Sequence, residues 1–251
     1  MVRNGTPSIA ALSRSLAMLE AILNDRDGRS VAAIAELIDM PVATAHRQVT
    51  TLVAEGFLAR MPRGRLGPGR RLLSLMQSVD EKQLIVAAAA PVLHRLAASV
   101  RSVVQLGTLE NDMVTYRIKT GRGASDFFTK VGMQLEAYCS GIGKVLLAYQ
   151  TEQDREAYLA TGPFPALTSN TITDPELLRK ELARVRAAGV ARDAEEIVEG
   201  LACLAVPIHS MDGHVRAAIS VSRAVPGRKE WQEDAIVEML RTAAVEIEAS
   251  L

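Results

Sequence analysis

The sequence predicts an α+β chain in two parts. A winged helix-turn-helix occupies residues 8–68, and beyond a linker helix at 69–80 a larger unit, 81–251, is built on an antiparallel sheet. Three observations carry this. Two short amphipathic helical patterns, 30–38 and 41–55, are separated by Asp39-Met40 and followed at once by the start of a hairpin, Gly56-Phe57-Leu58. After about residue 100 the apolar spacing changes from three-and-four to two, the change from helix to strand. At 251 residues the chain is long enough to bury two modest cores.

Ile9, Leu12, Leu16, Leu19 and Leu23 keep helical spacing over 8–24, and Asp27-Gly28 stops that helix, which is expected to support the next two. Ser30 suits an N-cap, with Val31, Ile34, Leu37 and Ile38 facing inward. Pro41 fits a first helical position, where its missing N–H would have no partner anyway. In 41–55, Val42, Ala45, Val49, Leu52 and Val53 form one apolar stripe, leaving Thr44, His46, Arg47, Gln48, Thr50 and Thr51 outside. Between residues 41 and 71 there are six Arg (47, 60, 63, 65, 70 and 71) and one acid, Glu55. Such a surface suits phosphate, and hydroxyl, amide and guanidinium side chains reach base edges in a major groove. A surface helix of an ordinary helical domain would carry the same stripe, and the pattern alone leaves that alternative open. Phe57-Leu58-Ala59 starts a strand, Pro62-Arg63-Gly64 turns, and Arg65-Leu66 returns, giving a short Arg-rich wing suited to minor groove or flanking phosphate.

Leu72, Leu73, Leu75 and Met76 mark the linker helix, and Asp80-Glu81 the boundary. Over 82–100, Leu84, Ala88, Val92, Leu96 and Val100 repeat helically, with a kink or restart expected at Pro91. Segments 102–109 and 113–119 then form a hairpin across Glu110-Asn111-Asp112. Helices are expected at 141–149, 152–160 and 174–188, the last stopped by Gly189. Segments 202–208 and 214–222 pair across Met211-Asp212-Gly213, and a helix at 230–249 closes the chain. Antiparallel strands with helices beside them define an α+β unit.

Charge sums to zero but is uneven: residues 1–80 hold ten basic against seven acidic residues, and 81–251 hold 19 against 22. The N-terminal part is therefore the candidate nucleic-acid part. Two cysteines and four scattered histidines provide neither a disulfide framework nor a zinc spacing, so no metal and no cofactor is expected. Residues 1–7 lack the apolar core of a signal peptide, and no run of about 18 apolar residues exists to span a bilayer, so a cytoplasmic protein without a membrane partner is expected.

Thr44-Ala45-His46-Arg47, Leu52, Glu55-Gly56-Phe57-Leu58, Gly64-Arg65-Leu66-Gly67 and Gly69-Arg70-Arg71-Leu72 resemble the DNA-binding half of the IclR-type (isocitrate lyase regulator) bacterial transcription factors. The likeness continues through residues 138–148 with Gly143-Lys144 and Leu147, Leu182 and Arg186 before Gly189, and Glu196-Gly200-Leu201. Cys203-Leu204-Ala205-Val206-Pro207, Asp212-Gly213 and Ala217-Ala218-Ile219-Ser220-Val221-Ser222 complete it. Ordered matches over some 170 residues are more specific than a lone winged helix. The resemblance implies a C-terminal effector-binding domain similar to the GAF domains, a linker helix that helps pair subunits, and a homo-dimer or dimer of dimers. The DNA-facing residues expected are Ala43, Thr44, His46, Arg47, Gln48, Thr51, Arg63 and Arg65, the partner being a double-stranded operator. The effector-facing residues it implies are Tyr138, Ser140, Gly141, Asp193, Cys203, Ser220 and Ser222, for a small molecule such as a carboxylate or aromatic acid. The chain departs from the family at Leu66, where an aromatic is common, and at Tyr138 and Ser140, where His and Thr are common.

Each effector residue also has a plain structural reading. Cys203 in an apolar strand can be packing. Ser220 and Ser222, at i and i+2, share a side and either face a cavity or satisfy each other. Asp193, in the segment after Gly189 expected to be a loop, can be a solvated acid, and Arg117 and Arg122 either meet an anion or form salt bridges. Gly141-Ile142-Gly143-Lys144 lacks the spacing of a phosphate loop and is read as a helix start. A nucleophile made of Cys139 or Cys203 with His209 or His214 has no supporting context. The expected function is a ligand-responsive, sequence-specific DNA-binding regulator; the alternatives are a small-molecule-modifying enzyme with a helical appendage and a nonspecific nucleic-acid binder.

Overall fold

The computed structural model describes residues 9–78, 81–210, 212–224 and 232–251, the side chains of 77 and 78 excepted. Ser8, Asp80, Met211 and positions 230–231, which enter the expectations above, lie outside them. The chain divides into two compact units, residues 1–80 and 81–251.

In the first unit α1 (Ala10–Asn24), α2 (Val31–Leu37) and α3 (Val42–Ala54) precede the hairpin β1 (Leu58–Arg60) and β2 (Leu66–Pro68), and α4 (Arg70–Ser78) follows. Met18, Leu19, Ile22, Ile34, Ala35, Met40, Ala45, Val49 and Leu58 form the core. Ser30 caps α2, its hydroxyl accepting from Ala33 N at 3.2 Å. Pro41 is the N-cap of α3 instead of its first helical residue, with ψ at 128°. The α1 stripe is corrected too. Ile9, Leu12, Leu16 and Leu23 are exposed, while Met18, Leu19 and Ile22 meet the core. Leu37, expected inside, is 67% exposed. A helical repeat identifies residues that share a face but not which face is covered, and α2 and α3 cover only the C-terminal half of α1.

The second unit begins with α5 (Glu81–Val100) and the hairpin β3 (Val103–Glu110) and β4 (Met113–Thr120). The two-residue turn Asn111-Asp112 has φ of 50° and 65°, the mirror-image turn that matches strand twist. Then come β5 (Gln134–Glu136), α6 (Gly141–Ala148), α7 (Glu152–Leu159), α8 (Pro175–Ala188), β6 (Ala191–Ala194), β7 (Leu201–His209), β8 (Val215–Ala224) and α9 (Glu233–Glu248). All six strands pair antiparallel in the order β5-β4-β3-β8-β7-β6. Neither β5 nor β6 is foreseen by the periodicity, because strands of three and four residues are too short to show one.

Alternation sorts the sheet's two faces. Val104, Leu106, Leu204, Val206, Ile208, Ile219 and Val221 pack with α5 and α9. On the other face Val114, Tyr116, Ala205 and Ala218 meet α6, α7 and α8. Pro91 does not interrupt α5, which stays one helix through it. Pro91 lies on its exposed side, preceded by a turn of four alanines that leaves room for the ring. By length and composition α5 would pass for a bilayer span. Its Ile85, Ala89, Val92, Leu93 and Leu96 are instead buried in this core, and Leu84, expected inside, faces out. Lys82 at the start of α5 reaches Glu110 at 2.5 Å, and Arg117 reaches the same carboxylate. The Lys82 ammonium, with Arg117, holds Glu110 well below the usual range, at about 2.

Candidate nucleic-acid interface and ligand cavity

In the first unit, α3 seats Ala45 and Val49 in the core and so turns Ala43, His46, Arg47, Thr50 and Thr51 to solvent, with Thr44 and Gln48 half-buried. The side chains of His46 and Arg47 have no hydrogen-bond or ion-pair partner among the described residues. Thr50 and Thr51 donate their hydroxyls back to His46 O and Arg47 O at 2.9 and 3.0 Å. Their lone pairs therefore remain to accept from a base or amide while the protons stay within the helix.

The arginines divide by what they touch. Arg71 is bound to the fold, 2.8 Å from Glu55 and 5.1 Å over the Phe57 ring. Arg65 leans along the α1–α2 turn, where a Cβ on Gly28 would stand 3.1 Å from its Nε. Arg63 is exposed at the hairpin tip with φ at 63°, a conformation that closes the tip tightly. Arg47, Arg60, Arg63, Arg65 and Arg70 are all exposed, so the unit presents clustered positive charge without neighbouring acids to neutralise most of it.

In the second unit, register places the polar residues in rows on the α6 face of the sheet. Asp193 pairs with Cys203, and Cys203 with Ser222; beside that row, Ala205 pairs with Ser220 and Ser220 with Gln105. Above them sits the start of α6. Ser140 caps it, accepting from Gly143 N at 3.0 Å. Only glycine fits at 143, where a Cβ would come within 2.1 Å of Ala137 O. The first two amides of the helix, on Gly141 and Ile142, are left without a partner among the described residues, as the opening turn of a helix leaves them.

Between sheet and helix is a narrow cavity lined by Ser140, Gly141, Asp193, Cys203 and Ser220, five of the seven expected effector residues. It has room for about one water molecule as it stands. Ser222 stands behind Cys203, accepting from its Sγ at 3.1 Å and donating to Gln105 Oε1 at 3.2 Å. Tyr138 is placed elsewhere. Its hydroxyl donates to Pro165 O at 2.7 Å and its ring stacks on Phe164, inside the α6–α8 core. Asp193 is no solvated loop acid: it is 2% exposed and lies on a strand.

Gln105, Tyr116, Phe127, Phe128 and Thr129 also line the cavity and are not singled out by sequence reasoning. Gln105, the one amide in Val103-Val104-Gln105-Leu106, was the available signal. Its Nε2 donates to Thr129 Oγ1 at 2.8 Å. Lys119 then fixes the same segment, donating to Phe127 O at 2.9 Å and to Thr129 O. Arg117 and Arg122 are not among the lining residues: Arg117 is held by Thr108 and Glu110, and Arg122 is exposed.

The electrostatics are acidic. Asp193 Oδ1 accepts from Glu196 N at 2.8 Å, whereas Oδ2 is buried without a partner. Burial lifts the Asp193 carboxyl to about 7, with the neighbouring Glu196 adding and the Glu196 amide and Lys144 opposing. Burial raises Glu196 as well, against Lys144. Lys144, 1% exposed, directs its ammonium to Arg192 O and Glu196 Oε1, both at 2.5 Å, and to Glu181 at 3.3 Å. Burial pushes the Cys139 thiol up to about 12 and raises Cys203 too, the opposite of an activated thiolate. His209 pairs with Glu248 at 2.9 Å, and Cys203 pairs with Ser222. Among the described residues no cluster of His, Cys, Asp and Glu could hold a metal ion.

Comparison with known proteins covers both units. Residues 11–62 match the IclR helix-turn-helix domain, and residues 77–249 match the bacterial transcriptional regulator IclR C-terminal domain. The chain is 32% identical to the HTH-type transcriptional regulator BhcR of Paracoccus denitrificans, over 93% of this chain and 85% of that one. It is 28% identical to the DNA-binding transcriptional repressor YiaJ of Escherichia coli, over 96% and 87%. Among solved structures it is similar to an IclR homolog of Microbacterium hydrocarbonoxydans complexed with 4-hydroxybenzoate. That likeness has a TM-score of 0.63 and 32% identity, and covers 96% of this chain and 99% of that one.

Proposed function

Because the chain belongs to the IclR family of bacterial transcriptional regulators, we propose that α3 docks in the major groove of an operator while the α6 cavity receives the metabolite that modulates docking. The chain is a transcription regulator with a DNA-binding helix-turn-helix domain and a C-terminal effector-binding domain. The observation that carries the DNA reading is the exposure of His46 and Arg47, without internal partners, on the second helix of the motif. Ala43, Thr44, Gln48 and Thr51 lie beside them to read base edges, and Arg63 and Arg65 reach the backbone or minor groove.

Ser140, Gly141, Asp193, Cys203 and Ser220 contact the effector in this proposal, and Ser222 acts through Cys203 and Gln105. Tyr138 is left out, since its hydroxyl and ring are both occupied in the core. The effector is a small carboxylate or aromatic acid. The paired free amides of α6 support an acid, and Phe127 and Phe128 support a ring. Bound 4-hydroxybenzoate in the Microbacterium homolog agrees.

One helix-turn-helix makes too few contacts to select a genomic site, so two or four copies act together. The exposed Leu12, Leu16, Leu73 and Met76 support pairing through α1 and α4. The protein works in the cytoplasm, where the chromosome is, and no catalytic step is assigned to it. The test is fluorescence anisotropy on the duplex upstream of its own gene against random duplex at matched salt. A preference for the former that Arg47→Ala removes is the expected result; equal binding to both duplexes overturns the reading.

A further inference from the structure

We propose that the α6 cavity takes up its carboxylate effector together with one proton from solvent, the proton residing on Asp193. This rests on the assignment of that cavity as the effector site and goes beyond it by fixing the charge state in which the ligand is held.

The argument begins with what an anion would meet. No Lys, Arg or His is among the lining residues. Lys119 is turned to the carbonyls of Phe127 and Thr129, and Lys144, beside Asp193, has three N–H donors and three acceptors: Arg192 O, Glu196 and Glu181. It has nothing left for a ligand. What the cavity offers an oxyanion is neutral: the free amides of Gly141 and Ile142 at the opening of α6, and the hydroxyls of Ser140 and Ser220.

Against these stands Asp193, with Oδ2 buried and unpartnered. The groups around it come from every side. Glu196 follows in the loop after β6, Lys144 and Cys139 approach from α6 and the residue before its cap, Cys203 from β7, and Tyr116 from β4. Behind Lys144, Glu181 comes from α8. The positive charges are Lys144 and, on the far side of Glu181, Arg184, and Glu196 and Glu181 already neutralise them. An ionised ligand and an ionised Asp193 cannot share so dry a space, because like charges there raise one another's pKa until a proton is held between them. With the proton on Asp193, its O–H donates to one ligand oxygen while the α6 amides serve the other. The orphaned Oδ2 is then satisfied, and the one negative charge that remains, the ligand's, is met by amide and hydroxyl donors instead of facing a second carboxylate. Burial, with Glu196 adding and Lys144 opposing, already brings Asp193 to about 7 before any ligand enters, so the proton costs little near neutral pH.

The test is calorimetric titration of the full-length protein with acetate, lactate, benzoate and 4-hydroxybenzoate from about pH 6 to about pH 9, in buffers of different ionisation enthalpy. The four carboxylates stay ionised throughout and only the phenol of 4-hydroxybenzoate titrates towards the upper end, so a pH dependence shared with acetate, lactate or benzoate belongs to the protein. For each acid that binds, affinity is expected to be flat below about pH 7, with no net proton uptake, and to fall about tenfold per unit above it, where uptake approaches one proton per ligand. Asp193→Asn, whose amide donates whatever the pH, is expected to bind with no pH dependence. Affinity that does not change with pH in the unmodified protein overturns the proposal, as does failure of every acid to bind at any pH. The unmodified pH profile decides it even if Asp193→Asn fails to fold. Ser220→Leu fills the cavity and separates the two claims. Acid binding that is pH-independent but abolished by Ser220→Leu sinks only the proton; binding that survives Ser220→Leu sinks the site and the proton together.

Discussion

The Lys144 ammonium lies 2.5 Å from Glu196 Oε1, and both side chains are nearly sealed from solvent. It ties the start of α6, which forms the roof of the ligand cavity, to the loop that also holds Asp193 through the Glu196 amide. Removing one member of a buried pair strands the other. Lys144→Met is therefore expected to destabilise the second unit by about 3–5 kcal/mol, read from urea unfolding followed by circular dichroism. A loss below about 1 kcal/mol would mean that water reaches the pair.

Asp193 predicts an unusual pH dependence of stability. Its carboxyl is raised to about 7 in the folded state, against about 3.9 in an unfolded chain. Between those values the folded form binds more protons than the unfolded one, so stability is fullest below about pH 4 and is lost as pH rises through about 7. The full span corresponds to about 4 kcal/mol as an order of magnitude. Urea midpoints at about pH 5 and about pH 8 should differ in the unmodified protein and converge in Asp193→Asn; equal shifts in both would refute the assignment.

Arg47→Ala should leave the fold intact, because the side chain is exposed and makes no hydrogen bond or ion pair among the described residues. It should weaken operator binding by about 1–3 kcal/mol and relax preference at one base position. Arg71→Ala provides the contrast: its guanidinium already pairs with Glu55 and covers Phe57, so its effect should appear in the melting of the first unit. Anisotropy titrations and thermal melts on both variants separate the two roles.

Gln105 links the cavity floor to its edge, accepting from Ser222 and donating to Thr129. Gln105→Ala leaves both hydroxyls short of a partner. Amide hydrogen exchange over residues 127–130 should quicken in this variant with little change in α9, and unchanged exchange at 127–130 would show that Lys119 alone holds the segment.

Gly143→Ala should be poorly tolerated, since the added Cβ would fall 2.1 Å from Ala137 O and nothing there is a flexible side-chain end. Gly64→Ala, at the open hairpin tip where nothing lies within 4 Å, serves as the control and should carry only the cost of its positive φ. Comparing the yield and melting temperature of the two variants checks the difference.

Much of this was legible beforehand for a definable reason. The Ser30 cap, the turn before α3, the 62–64 hairpin tip and the Gly189 stop on α8 are local, each set by residues within one turn of one another. Alternation also put Ser220 and Ser222 on one side of β8, because side-chain period in a strand is fixed by the backbone. What failed was the choice of covered face on α1, the inward placing of Leu37 and Leu84, and the two short edge strands β5 and β6, where the pattern has too few residues to speak.

The sequence by itself determined the order of elements, the two-part division of charge and apolar spacing, and the local turns, all consequences of interactions over a few residues. Only the tertiary structure decided that Asp193 is a buried strand residue, that Lys144 meets Glu196 across 52 positions, and that Tyr138 belongs to the core. Those outcomes depend on strand register and on which helix lies over which face. Such contacts form between segments far apart in the chain, and their burial sets the charge of each group in ways no local pattern records.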